Sequence, residues 1–133
     1  MNVLLVQMPF GSLRWPSPAL GLLQSLARER GHRCDTAYLT FDLAELVGEE
    51  TYQWITDSFG FVLGGERLFA RHYFETWGDE ESRQAFWSDE EYRQRVLQRE
   101  DPSFTDEDHK AFLDVGRAIP AFLNTCRQSI DWS

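Results

Sequence analysis

Asn2-Val3-Leu4-Leu5-Val6-Gln7, Met8-Pro9-Phe10-Gly11-Ser12-Leu13-Arg14-Trp15-Pro16-Ser17, and then Pro18 through Gly31 decide how the chain folds. The apolar run Val3 to Val6 is too short for a helix and lacks the polar alternation of a half-exposed strand. It predicts a strand covered on both faces. Ser17 stands where an N-cap belongs, and Pro18 occupies the first helical position, where a missing N–H does no harm. Leu20, Leu23, Leu26 and Ala27 recur at helical spacing, and Leu22 widens the stripe. Gly31 follows the last turn, as a helix-ending glycine does. Strand, loop and helix form the opening half of a βαβ unit, and ligands of such units bind at the carboxyl ends of the strands. The loop Met8–Ser17 is therefore the first place to look for function. It is long for such a connection, which usually takes roughly 2–6 residues.

Working outward, Arg33-Cys34-Asp35-Thr36-Ala37-Tyr38-Leu39-Thr40 alternates and is rich in β-formers. It predicts a second strand over 33–40, more exposed than the first. A right-handed crossover would set it parallel to strand 2–7. No third strand follows. Phe41 to Gly48 reads as a short helical turn and Glu49 to Phe61 as a helix. Phe61-Val62-Leu63 is briefly strand-like, and Gly64-Gly65 reads as a break before another helix. Gly78 to Ser82 reads as an acidic turn, and Ser88-x-x-Glu91 matches a capping box. Thr105 opens a last helix with acids in its first turn, and Pro120 should kink it.

The fold class is therefore α/β: one domain over 1–133, with a βαβ-type unit in 1–40 and a helical segment in 41–133. Two parallel strands are not a stable sheet, and parallel strands need cover on both faces. The expectation is an incomplete domain whose sheet is finished by a longer protein or by a partner chain. The alternative is a small, mainly helical domain with one strand pair.

Composition narrows the function classes. Ten Phe and five Trp in 133 residues argue against disorder. The net charge is −9 with a single lysine, Lys110, so no basic stripe exists and nucleic acid is excluded as a partner. Residues 1–40 carry four arginines against Glu29 and Asp35, so the acidic excess lies wholly in the distal part, as a solvated helical surface. No apolar run approaches the roughly 18 residues that cross a bilayer. The N-terminus has no signal-peptide pattern, so a cytoplasmic location is expected. Cys34 and Cys126 are isolated and fit core positions. His32, His72 and His109 are scattered, and no zinc-type spacing occurs.

Val3-Leu4-Leu5-Val6-Gln7-Met8-Pro9-Phe10, Pro16-Ser17-Pro18-Ala19-Leu20-Gly21-Leu22-Leu23 and Glu29-Arg30-Gly31-His32 resemble the start of cobalamin-dependent radical-SAM enzymes. Met-Pro-Phe followed by Ser-Leu-Arg, with Thr51-Tyr52 and Gly64-Gly65-Glu66-x-Leu68-Phe69, is similar more narrowly to members that mature ribosomally made peptides, bacteriocins among them. The resemblance implies a Rossmann-like cobalamin-binding region, carbon methylation of a precursor peptide, and the remainder of the enzyme or a partner chain as company. It also implies a third strand just after Trp132-Ser133. Two family motifs are missing. The Cys-x-x-x-Cys-x-x-Cys motif is absent, so S-adenosylmethionine and the 4Fe-4S cluster belong to another part of the parent protein. The Asp-x-His-x-x-Gly motif, whose His ligates cobalt, is absent too.

The cofactor candidates are Pro9, Phe10, Gly11, Ser12, Trp15 and Ser17. A corrinoid is a large flat ring with amide arms. Loop N–H groups and Ser12 suit the arms, while Phe10 and Trp15 suit the ring edges. No catalytic or metal-ligating residue is expected in this chain. Gly64-Gly65 lacks the Lys-Ser/Thr of a phosphate loop, and His72 with Glu75 is one pair where a metal needs three or four ligands. The aromatics Trp54, Phe59, Phe69, Tyr73, Phe74, Trp77 and Phe86 read mostly as core. Two functions remain: an accessory cobalamin-binding region of a radical-SAM peptide methyltransferase, or a stand-alone helical module that binds a peptide or protein.

Overall fold

The computed structural model describes residues 1–85 and 88–129. Strand β1 (Asn2–Gln7) and strand β2 (Arg33–Tyr38) pair in parallel, from Asn2 opposite Arg33 to Gln7 opposite Tyr38. Helix α1 (Pro18–Glu29) makes the crossover. The Ser17 hydroxyl accepts from the Leu20 N–H at 3.3 Å. At the other end Gly31 takes φ +78°. His32 N–H bonds the Ala27 carbonyl and Gly31 N–H the Arg28 carbonyl, the paired bonds of a glycine-terminated helix. Both ends of α1 were thus legible in the sequence.

The strand boundaries and burial differ from expectation. β2 stops at Tyr38; Leu39 and Thr40 open helix α2 (Leu39–Val47), where both are buried. β1 is not covered on both faces. None of its residues is fully buried, Leu4 is exposed, and the deeply buried sheet residue is Cys34 of β2, the strand expected to be the more exposed. Paired residues share a face in a parallel sheet. Val3, Leu5, Cys34 and Thr36 therefore lie on one side, and Leu4, Val6, Asp35 and Ala37 on the other. Val6 packs on the helical core at the carboxyl end of its strand; Leu4 and Asp35 are exposed.

The leucine stripe of α1 does not seat on the sheet. Leu20, Gln24 and Ala27 are half-buried, whereas Leu22, Leu23 and Leu26 are exposed, Leu22 by 62%. The reason is polar. Gln24 Nε2 (3.2 Å) and Arg28 Nε (3.2 Å) and Nη2 (2.8 Å) all donate to the Cys34 carbonyl. That anchor turns the Gln24–Arg28 side of the helix towards β2 and the leucines outward.

Every element after β2 is a helix or helical turn among the described residues. Helix α3 (Glu49–Phe59) buries Tyr52, Ile55 and Phe59 at helical spacing. Gly60–Val62 is a 3-10 turn, so the strand-like Phe61-Val62-Leu63 is not a strand. Gly64 and Gly65 are no break; they are the first two residues of helix α4 (Gly64–Trp77), and both are buried. The expected acidic turn gives way to helix α5 (Glu80–Ala85). The Ser88–Glu91 capping box forms and starts helix α6 (Asp89–Tyr92). That helix runs through a π turn (Arg93–Leu97) into helix α7 (Gln98–Glu100). Helix α8 (Asp106–Ser129) follows, with Thr105 and Asp108 bonded reciprocally at its start; Pro120 lies inside it without ending it. The expected strand beyond Trp132-Ser133 lies outside the described residues, as does Phe86.

Two apolar clusters hold the helical body together. One contains Ile55, Phe59, Leu68, Tyr92, Leu97, Phe104, Phe112 and Val115. The other contains Leu39, Leu43, Ala44, Tyr52, Ile119, Phe122 and Cys126. Both cysteines are buried. Phe10, from the loop after β1, packs against both clusters.

Candidate functional site

The loop Met8–Ser17 lies at the carboxyl ends of the strands, as the strand–loop–helix reading requires. Its candidate residues divide into those turned inward and those turned out. Phe10 points in. Its ring stacks on Tyr52 (centroids 5.5 Å apart, planes 9° apart) and meets Phe69 edge-on at 6.2 Å. Its backbone takes φ +67°, a left-handed conformation that a bulky side chain adopts only when the surroundings enforce it. The enforcing socket is Gly65, on which a Cβ would collide with the Phe10 ring. Gly11 follows, and its carbonyl accepts from the Tyr52 hydroxyl at 2.9 Å. A Cβ on Gly11 would meet the Gln7 side-chain amide, which packs against this glycine.

The serines shape the loop. The Ser12 hydroxyl accepts from the N–H groups of Arg14 (3.1 Å) and Trp15 (3.3 Å), which closes a local turn. Its own O–H is left to donate. Ser17 caps α1, and Pro9 is half-buried. Trp15 points out, 75% exposed, and Met8 is exposed beside the end of β1. Phe41, just past the end of β2, is exposed as well, its ring 6.2 Å from that of Tyr38. A cleft of about 370 Å³ opens between the loop and α2, lined by Leu13, Phe41, Ala44, Glu45, Gly48 and Glu49. The strand ends therefore carry an apolar, aromatic outer surface held by a rigid inner plug.

Sequence reasoning missed the partners of the plug. Tyr52, Gly65 and Thr40 are distant from the loop in sequence, and Gln7 directly precedes it. Gln7 Oε1 and Thr40 Oγ1 are buried without a hydrogen-bond partner, and both side chains crowd Gly11. A pair of unpartnered buried oxygens is costly, and it sits here at the strand ends. The Gly64-Gly65 pair was the available signal: a helix that opens on two glycines has something pressed against it. Among the described residues no group of three His, Cys, Asp or Glu side chains is arranged for a metal ion, and no helix is long and apolar enough to cross a membrane. His32 lies at the opposite end of the sheet, before β2; His72 packs on Trp77 and His109 beside Phe104.

Tyr52 makes the plug pH-sensitive. Burial pushes its phenol up to about 12 from the ordinary value of 10. A raised phenol holds its proton more tightly folded than unfolded. Its contribution is whole below about pH 10 and is lost as pH rises towards about 12, about 3 kcal/mol in all. Tyr52→Phe is expected to cost about 1 kcal/mol at neutral pH, from the bond to Gly11, and to flatten the alkaline fall. Urea midpoints of the two proteins between pH 8 and 11 check this; parallel pH curves would exclude Tyr52 as the source.

No protein-family model, curated protein or solved structure matches the chain.

Proposed function

We propose that this chain is the N-terminal, Rossmann-like, cobalamin-binding-type region of a radical-SAM enzyme that methylates carbon centres of a ribosomally made peptide. It contributes binding surface and no catalytic group. The resemblance covers most of the chain and is most specific in residues 2–40. The observation that supports the reading best is the outward Trp15, with Met8 and Phe41, on a loop anchored at the strand carboxyl ends. The exposed Leu4, Leu22, Leu23 and Leu26 support a further layer of protein over the sheet and α1, supplied by the rest of the enzyme or by a partner.

The donor set fits a corrinoid in part. Trp15, Met8 and Phe41 offer apolar cover for ring edges, and the Ser12 O–H and loop N–H groups suit amide arms. Phe10 and Ser17 serve the fold instead, one as plug and one as cap. No imidazole stands among the residues that shape the loop, so this loop would hold a corrinoid through apolar contacts and hydrogen bonds without a histidine. When bound, the corrinoid would carry the methyl group; this chain's residues would hold it and keep water from its edge. Cleavage of S-adenosylmethionine, and the iron–sulfur cluster it needs, belong to another part of the parent protein.

Equilibrium dialysis of the purified chain against hydroxocobalamin is the direct test. Retention is expected, and Trp15→Ala should weaken it by about tenfold, the usual effect of removing one large aromatic contact. Trp15 is exposed, so an unchanged circular dichroism spectrum would separate lost binding from lost fold. No retention by the folded chain, or equal retention by Trp15→Ala, counts against the assignment. One observation favours a second reading as a peptide- or protein-binding module: Tyr73 and Trp77 lie exposed side by side on α4, their rings 5.8 Å apart.

A further inference from the structure

On the helical body, away from the loop, α4, α5 and the start of α6 enclose a cleft of about 330 Å³. Arg67, Arg71, Phe74, Glu75, Arg83 and Asp89 line it, beside Ser88. In a chain of net charge −9, three guanidinium groups here face two carboxylates. Asp89 takes Arg71 Nη1 at 2.8 Å and Arg67 Nη2 at 3.6 Å; Glu75 takes Arg71 Nε at 2.8 Å. The Arg67 guanidinium lies 4.9 Å above the Tyr92 ring, with its side chain only 9% exposed. Arg83 bonds the Asp79 main-chain carbonyl at 3.5 Å. Hydrogen bonds from Ser82 and, to a lesser degree, the Arg83 charge hold the Asp79 carboxyl below the usual range, although no carboxylate of the described residues lies at ion-pair distance from Arg83.

We propose that this cleft binds a small monocarboxylic acid with an apolar body, the carboxylate between Arg71 and Arg83 and the body against Phe74. The proposal does not rest on the corrinoid reading. Guanidinium groups match a carboxylate in shape and charge. A phosphate dianion would set more negative charge against Asp89, Glu75 and the nearby Asp79 than one carboxylate does. The apolar wall extends outward from the cleft: Phe74 packs on Tyr73 at 5.4 Å, and Tyr73 on Trp77 at 5.8 Å. The volume suits a small ligand and lies at the low end of ligand pockets.

Calorimetric titration of the full chain with 3-phenylpropanoate tests this, with 3-phenylpropanamide as the neutral counterpart. The acid is expected to bind at least about tenfold more tightly than the amide, as a hydrogen-bonded charge requires. Arg83→Ala should weaken the acid by about tenfold on the same ground. Arg127→Ala, on the exposed side of α8, should leave it unchanged. Arg71→Ala also breaks the bonds to Asp89 and Glu75, so Arg83→Ala, at an exposed position, is the deciding variant. Equal binding of acid and amide, no binding of the acid at about 10 mM, unchanged affinity in Arg83→Ala, or tighter binding of inorganic phosphate would each overturn the proposal.

Discussion

Phe59→Ala is expected to lower the unfolding free energy by about 3–5 kcal/mol. Phe59 is fully buried and packs against three other rings. Trp54 meets it at 5.4 Å, Phe104 at 5.6 Å and Phe112 at 6.2 Å, all near edge-on. Its Cβ also lies 2.7 Å from where a Cβ on Gly64 would stand, so the α3–α4 turn is built around this residue. Residues of α3, of the segment before α8 and of α8 itself all pack on this one side chain. A domain of this size has only about 5–15 kcal/mol of stability to lose. The variant should lose a large share of that stability and unfold at a markedly lower urea concentration. Urea unfolding followed by circular dichroism measures it, and Phe59→Leu should recover most of the loss. A fall below about 1 kcal/mol would mean that the aromatic cluster repacks freely.

Gly65→Ala is the second large effect, expected at about 2 kcal/mol, because an added methyl would overlap a ring already clamped on both sides. The loss is informative through Phe10. In the Phe10→Ala background the clash is gone, and alanine in a helix is favoured over glycine. There Gly65→Ala is expected to be neutral or mildly stabilising. The double-mutant cycle isolates this coupling. Additive losses would show that Gly65 is required for some other reason. In the single variant the amides of Met8–Ser17 should also exchange faster with solvent, since the plug holds the loop.

Local signals were legible and long-range ones were not. The Ser17 cap, the Gly31 terminus, the Ser88–Glu91 box and the Thr105 start depend on neighbours in sequence, and each formed. The leucine pattern of α1 failed because Gln24 and Arg28 bind the Cys34 carbonyl, a contact that hydrophobic spacing does not encode. The loop was found by the strand-end rule, but its inward half was not. Whether Phe10 faces a ligand or the core is decided by Tyr52 and Gly65, more than forty residues away. Tyr73 and Trp77, read as core from spacing alone, stand exposed because α4 packs on α8 along its other side.

The sheet has one more consequence. Among the described residues β1 and β2 have no other neighbours, so each leaves one row of main-chain donors and acceptors unpaired. Exposed leucines lie close by on α1. A second molecule can extend such a ribbon at no cost in side-chain fit. Purified alone, the polypeptide should therefore scatter light increasingly as it is concentrated, and a lysine at Leu4 or Leu22 should raise its solubility without altering its thermal midpoint.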